Sequence, residues 1–115
     1  SLAVAVGNAH GAYVQTPSLD FERIAALRKA LPIPLVLHGC SDIPHEQLQE
    51  SVRLGMSKFN IATEYFRACY ASVEKQVAAG EAKGNLFGLM NAAAEDAIEF
   101  VRGKMRLLNP NKFSF

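Results

Sequence analysis

The chain predicts an α/β fold, a partial (β/α)8 barrel of the TIM type with about three βα units and a final helix, and three observations carry that reading. Short apolar, strand-like runs alternate with amphipathic helical stretches, the order that yields a parallel sheet with right-handed crossovers. His38 follows His10 by 28 residues and Asn60 follows His38 by 22, close to the roughly 30 residues per unit of an eight-unit barrel of about 250. The residues just beyond each strand are polar or glycine, and parallel β/α folds collect their functional groups there. An open doubly wound sheet is the competing architecture, but Gly7 and Gly11 do not form its G-x-G-x-x-G fingerprint. The 115 residues make one domain at most and show about three units where barrel closure needs about eight.

Residues 2–7 are a continuous, Val-bearing apolar run that breaks at Gly7-Asn8, the pattern of a strand covered on both faces. Residues 8–19 carry glycine, proline and small polar residues and read as a loop, after which Asp20 is placed to cap a helix over 21–31. In that helix Ile24, Leu27 and Leu31 share a stripe, while Glu22, Arg23 and Lys29 lie off it. Pro32 and Pro34 stop it, and a second strand follows over 35–38. After a loop over 39–43, Pro44 suits the first turn of a helix over 44–54 and Gly55 suits its C-terminal cap. A third strand over 58–61, a helix over 63–79, a glycine-bearing loop over 80–88 and a last helix over 90–107 complete the order. Phe66, Tyr70 and Val73 fall on one side of their helix and read as packing residues.

Composition excludes several functions. Half the residues are hydrophobic, and 12 basic against 11 acidic side chains leave a formal charge of +1, so no nucleic acid or anionic membrane is expected as partner. No apolar run approaches the roughly 18 residues of a membrane helix, and the first residues lack the pattern of a signal peptide, so the expected location is cytoplasmic. Cys40 and Cys69 show no repeated spacing and read as free thiols. The opening without methionine suggests a chain cut just before a strand.

Two of the three histidines fall at strand ends. The first strand delivers Asn8, His10 and Gly11, the second His38, Gly39 and Ser41, and the third Asn60 and Thr63. Each of His10 and His38 is followed by glycine, which lets a ligand or metal approach the backbone. Two imidazoles on neighbouring strands suit Zn²⁺, although a catalytic zinc takes about three protein ligands. The plainer readings stand beside these: a strand-end histidine is commonly a hydrogen-bonded structural residue, and Thr63 also suits a helix cap. Lys58 opens its strand, away from the active mouth, and His45 in a polar first turn is expected to be exposed.

Three motifs, Ala5-Val6-Gly7-Asn8-Ala9-His10-Gly11, Pro34-Leu35-Val36-Leu37-His38-Gly39 and Lys58-Phe59-Asn60-Ile61-Ala62-Thr63-Glu64, resemble in order and spacing three successive strand-end motifs of class II fructose-bisphosphate and tagatose-bisphosphate aldolases. Leu19-Asp20-Phe21 and the stretch from Glu99 to Arg106 also look like that family. The resemblance implies that residues 1–115 are the C-terminal part of a single β/α barrel domain. It implies that His10 and His38 are zinc ligands, and that Gly11, Gly39, Ser41, Asn60 and Thr63 hold the phosphate and hydroxyketone end of a phosphorylated ketose or of dihydroxyacetone phosphate. Zinc would act there as a Lewis acid on the substrate carbonyl. The family's remaining zinc ligand and its acid/base carboxylate belong to the earlier half of the barrel, so the resemblance assigns no catalytic residue to this chain and implies that it is inactive alone.

The sequence departs from the family after His38. Where the family commonly has Gly-Gly-Ser-Gly or Gly-Ala-Ser-Gly, this chain has Gly39-Cys40-Ser41-Asp42. Asp42 is expected to point outward as a cap of the following helix, and Cys40 to be a small core thiol rather than a zinc ligand. These changes keep a second reading in view, a non-catalytic barrel partner or scaffold subunit of an aldolase, and a third, an aldolase for an unphosphorylated or differently charged substrate. Open sheet edges predict association as a homo-oligomer or with a complementing barrel half.

Overall fold

In a computed structural model, residues 1–9, 11, 14–80 and 84–112 are described. Three parallel strands in the order β1-β2-β3 form one sheet: β1 (Leu2–Ala3), β2 (Leu35–Leu37) and β3 (Met56–Phe59). Among the described residues there are four helices, α1 (Phe21–Ala30), α2 (His45–Arg53), α3 (Thr63–Ala78) and α4 (Leu86–Leu107). The strand-helix alternation expected from the apolar runs is therefore present, as an α/β fold with a three-stranded parallel sheet. No helix among the described residues is long and apolar enough to cross a membrane.

The strands differ from their expected lengths for identifiable reasons. Only Leu2 and Ala3 pair with Leu35 and Val36, because the groups that would extend the ladder are used locally. Val6 N–H points to the Asn8 side-chain oxygen at 3.4 Å, and the Val6 carbonyl accepts from Asp20 N–H at 2.9 Å. The loop thus folds back onto the strand end, and a Cβ on Gly7 (φ 95°) would stand 2.4 Å from the Ser18 carbonyl oxygen, so only glycine fits there. β3 starts at Met56, two residues earlier than expected, since Gly55 N–H closes α2 on the Val52 carbonyl at 3.0 Å and the chain enters the sheet at once. Lys58 accordingly does not open its strand. It lies within β3, opposite Val36, and its ammonium reaches the Asn60 side-chain oxygen.

β2 is buried along its whole length, as a run of three apolar residues covered on both sides should be. Leu35 and Leu37 join Val6, Ile24, Leu48 and Met56 in the core, with Leu27 and Leu31 packed against it. That places the apolar stripe of α1 on the sheet, as its spacing predicts. Asp20 caps α1 by accepting from Arg23 N–H at 2.9 Å, and His45 is exposed at the start of α2.

α4 begins at Leu86, not near residue 90, because the Asn85 side chain caps it by accepting from Gly88 N–H at 2.9 Å. α3 and α4 form an antiparallel hairpin joined by Ser72 Oγ–H donating to Asp96 Oδ2 at 2.5 Å and by Lys104 Nζ 2.7 Å from the Glu64 carboxylate. The C-terminal end of α4 docks on the body, with Leu107 and Leu108 against the core and Gln49 Nε2 donating to the Leu107 carbonyl at 3.3 Å. The hairpin makes the molecule elongated: its radius of gyration is 17.1 Å, against about 13 Å for a compact chain of this length. Phe66 and Tyr70, expected to be packed, are 67% and 68% exposed. The side of α3 that meets α4 carries Tyr65 and Ser72 instead.

Candidate functional site

The carboxyl ends of β2 and β3 are tied together beyond the regular ladder. Asn60 N–H donates to the Leu37 carbonyl at 3.0 Å, and the Asn60 carbonyl accepts from Cys40 N–H at 3.1 Å. These two bonds hold the His38-to-Ser41 turn over the start of α3. A cavity of about 480 Å³ opens there, lined by Gly11, His38, Gly39, Ser41, Asn60 and Thr63 together with Phe59, Ile61 and Ala62. All five residues expected to bind substrate thus border one cavity with one of the two expected metal ligands. The other, His10, lies outside the described residues, as do Ala12 and Tyr13. A cavity of similar volume between β3 and α4, lined by Met56, Phe59, Phe100 and Met105 among others, is mostly apolar and holds none of the polar strand-end groups, so it is not taken as the site.

His38 is held from two sides. Asn8 Nδ2–H donates to its carbonyl, linking the first strand end to the second. The Asn60 amide nitrogen stands 3.1 Å from Nδ1 and 3.4 Å from Nε2 of the ring. An imidazole is a ligand type for zinc, and second partners of this kind fix the orientation of a ligating ring. The donor set fits a metal in kind. Among the described residues, however, no three His, Cys, Asp or Glu side chains cluster, so they supply one imidazole and not a complete coordination shell.

One side of the cavity is built by the start of α3, which begins at Thr63 as the sequence led one to expect. α3 has Ala62 as its N-cap, with no capping side chain. Ser41, buried on the neighbouring turn, accepts from Glu64 N–H at 3.2 Å through Oγ. Thr63, expected as a possible cap, is instead the first helical residue and lines the cavity. A 16-residue helix therefore directs its N-terminus, with its partial positive charge, toward the cavity, and such a terminus suits an anion.

Asp42 does not cap α2, whose N-cap Pro44 has no side-chain bond. Its backbone adopts φ 63°, the left-handed region that aspartate tolerates better than most residues. Its carboxylate is paired with Arg67 of α3 at 2.5 Å. The expectation of a helix cap is thereby corrected: Asp42 takes up the backbone conformation that suits glycine, and Arg67 balances its charge. Sequence alone offered no signal for this partner 25 residues away.

Cys40 is fully buried, and its thiol donates to the Leu37 carbonyl at 3.0 Å. Burial is the main cause that pushes this thiol up to about 11 from 9.0. Because the folded value is raised, between pH 9 and about 11 the folded chain binds more protons than the unfolded one. The stabilisation is fully present below pH 9 and is lost as pH rises through that window. The loss should amount to about 2–3 kcal/mol, read by urea unfolding at pH 8 and pH 11, and Cys40→Ala should flatten that decline. Thiol reagents at neutral pH should modify the partly exposed Cys69 well before Cys40.

A family model described as class-II fructose-bisphosphate aldolase matches residues 1–112. Among solved structures, the YdjI aldolase of Escherichia coli K12 superposes with a TM-score of 0.84 at 32% identity, covering 96% of this chain and 40% of that one. Fructose-bisphosphate aldolase of Campylobacter jejuni superposes at 0.76 with 23% identity, covering 95% and 39%, a likeness of fold. The chain thus spans about two-fifths of the length of the solved structures it matches.

Proposed function

The chain belongs to the class-II fructose-bisphosphate aldolase family, and from that premise we propose that it forms the C-terminal part of a (β/α)8 barrel whose site performs zinc-dependent aldol cleavage and condensation of a ketose bisphosphate by way of dihydroxyacetone phosphate. The observation that carries the proposal is the convergence of His38, Gly39, Ser41, Asn60, Thr63 and Gly11 on one cavity at the strand ends.

In this reading His38 and His10 would hold the metal. His10 lies in sequence between Ala9 and Gly11, and each of those borders a cavity that His38 also borders. The bound zinc would supply Lewis-acid polarisation of the substrate carbonyl. Asn60 orients the His38 ring and offers its amide to the hydroxyketone. The start of α3, with Ser41, Thr63 and the Gly39 backbone, binds the phosphate, and the Arg67 contact keeps the Asp42 charge from standing uncompensated near it. The third metal ligand and the carboxylate that moves the proton would come from the remaining three-fifths of the barrel, so the site is a shared one.

The 115-residue chain alone is therefore expected to give no zinc-dependent cleavage of fructose 1,6-bisphosphate or tagatose 1,6-bisphosphate. The same chain within a completed barrel should give it. Turnover by the isolated chain, or a completed barrel that neither cleaves these sugars nor binds zinc, would count against the proposal, and the second result would favour a scaffold role.

A further inference from the structure

We propose that Lys104 is a positioning residue for the anion end of the cavity: by neutralising Glu64, it leaves the N-terminus of α3 free to attract a phosphorylated ligand. The inference deepens the aldolase reading and rests on it. Glu64 is the second residue of α3, and its N–H donates to Ser41 Oγ at 3.2 Å. Its backbone therefore belongs to the wall that Ser41 and Thr63 give the cavity, although Glu64 itself is not one of the lining residues. The carboxylate turns the other way, to α4, where Lys104 Nζ stands 2.7 Å from Oε2.

A carboxylate in the first turn of a helix suits the helix itself, because it meets the partial positive charge there, and for the same reason it competes with any anion at that terminus. Magnitudes decide the outcome. The terminus carries about half an elementary charge and a carboxylate a whole one, so an uncompensated Glu64 would reverse the sign of the potential offered to a phosphate. The Glu64 and Lys104 side chains are only 20% and 14% exposed, so water and salt screen them far less than surface charges. Among the described residues Glu64 Oε2 accepts no hydrogen bond of good geometry, which leaves the ammonium acting as a counter-charge. Lys104 is itself held in place, with Nζ 5.5 Å from the centre of the Phe100 ring. Phe100 in turn packs edge-on to Tyr65, the residue after Glu64, at 6.0 Å. Both charges reach the turn beside the cavity. After burial, which pushes its thiol up, and the Asn60 backbone contact, which lowers it, Cys40 is pushed up by Glu64 and down by Lys104 and Lys58. Cys40 stands between Gly39 and Ser41, which line the cavity.

A pair that served only to hold α3 to α4 would weaken folding when either member was removed, and neither removal would tighten a ligand. Charge balance gives the two removals opposite signs. In a completed barrel freed of metal and titrated calorimetrically with inorganic phosphate, Lys104→Met is expected to weaken binding about tenfold and Glu64→Gln to tighten it at least about threefold. The double variant should return to within about threefold of the unaltered barrel, and Lys104→Arg should keep its affinity. With zinc restored, KM for a ketose bisphosphate should follow the same order while zinc content stays unchanged. Should Lys104→Met fail to fold, Glu64→Gln decides alone, since no gain in phosphate affinity there overturns the inference. Weaker binding in both single variants, or equal binding in all, also overturns it and leaves the aldolase reading intact. An unaltered completed barrel that binds no phosphate overturns that reading, and the inference with it.

Discussion

His38→Ala, in a polypeptide carrying the whole barrel, is expected to reduce bound zinc from about one per chain to a small fraction and to lower kcat for ketose bisphosphate cleavage by about 10³-fold or more. The loss should exceed the roughly 10- to 100-fold that follows removal of an outer-shell partner, because the imidazole itself would be the donor. Asn60→Ala should fall in that lesser range, since the amide stands 3.1 Å from the ring and would position it. The comparison separates ligation from general stability: both substitutions lie at the mouth of the sheet, and thermal unfolding with and without zinc shows whether the metal linkage is lost. Full zinc content and normal turnover in His38→Ala would remove the metal role from this residue.

Leu37→Ala is expected to cost about 3–4 kcal/mol of folding stability, measured by urea denaturation. Leu37 has no exposed surface and sits at the centre of the sheet in contact with both helical and strand neighbours. Truncating such a residue removes its transfer energy and leaves a cavity that close-packed surroundings fill only in part. The position also matters to the site, because the Leu37 carbonyl accepts from both Asn60 N–H and the Cys40 thiol at 3.0 Å. A shift there would loosen the turn that presents His38 and Ser41, so zinc or phosphate affinity should fall along with stability. Val14→Ala, at a fully exposed position, should change stability by no more than about 0.5 kcal/mol. Similar effects of the two substitutions would contradict the assignment of the core.

The local chemistry of the chain determined the sequence of elements and the residues gathered at the cavity. The apolar run at 35–37 forms a strand buried along its length, whereas the third strand, with Ser57 and Lys58 exposed, begins two residues before its expected start, and Asp20 through its side chain and Gly55 through its positive φ mark helix ends. Gly11, His38, Gly39, Ser41, Asn60 and Thr63 share a rim because parallel strands with right-handed crossovers bring their carboxyl ends to one side. The tertiary structure decided what depends on a partner distant in sequence. β1 is short because Asp20 takes the Val6 carbonyl, and Asp42 is neutralised because Arg67 lies one helix away. The N-terminus of α3 meets the cavity because Ser41 folds over it. Which stripe of α3 is buried was likewise a tertiary matter. Two faces of that helix carry apolar residues, and periodicity alone cannot say which of them the α4 contact covers.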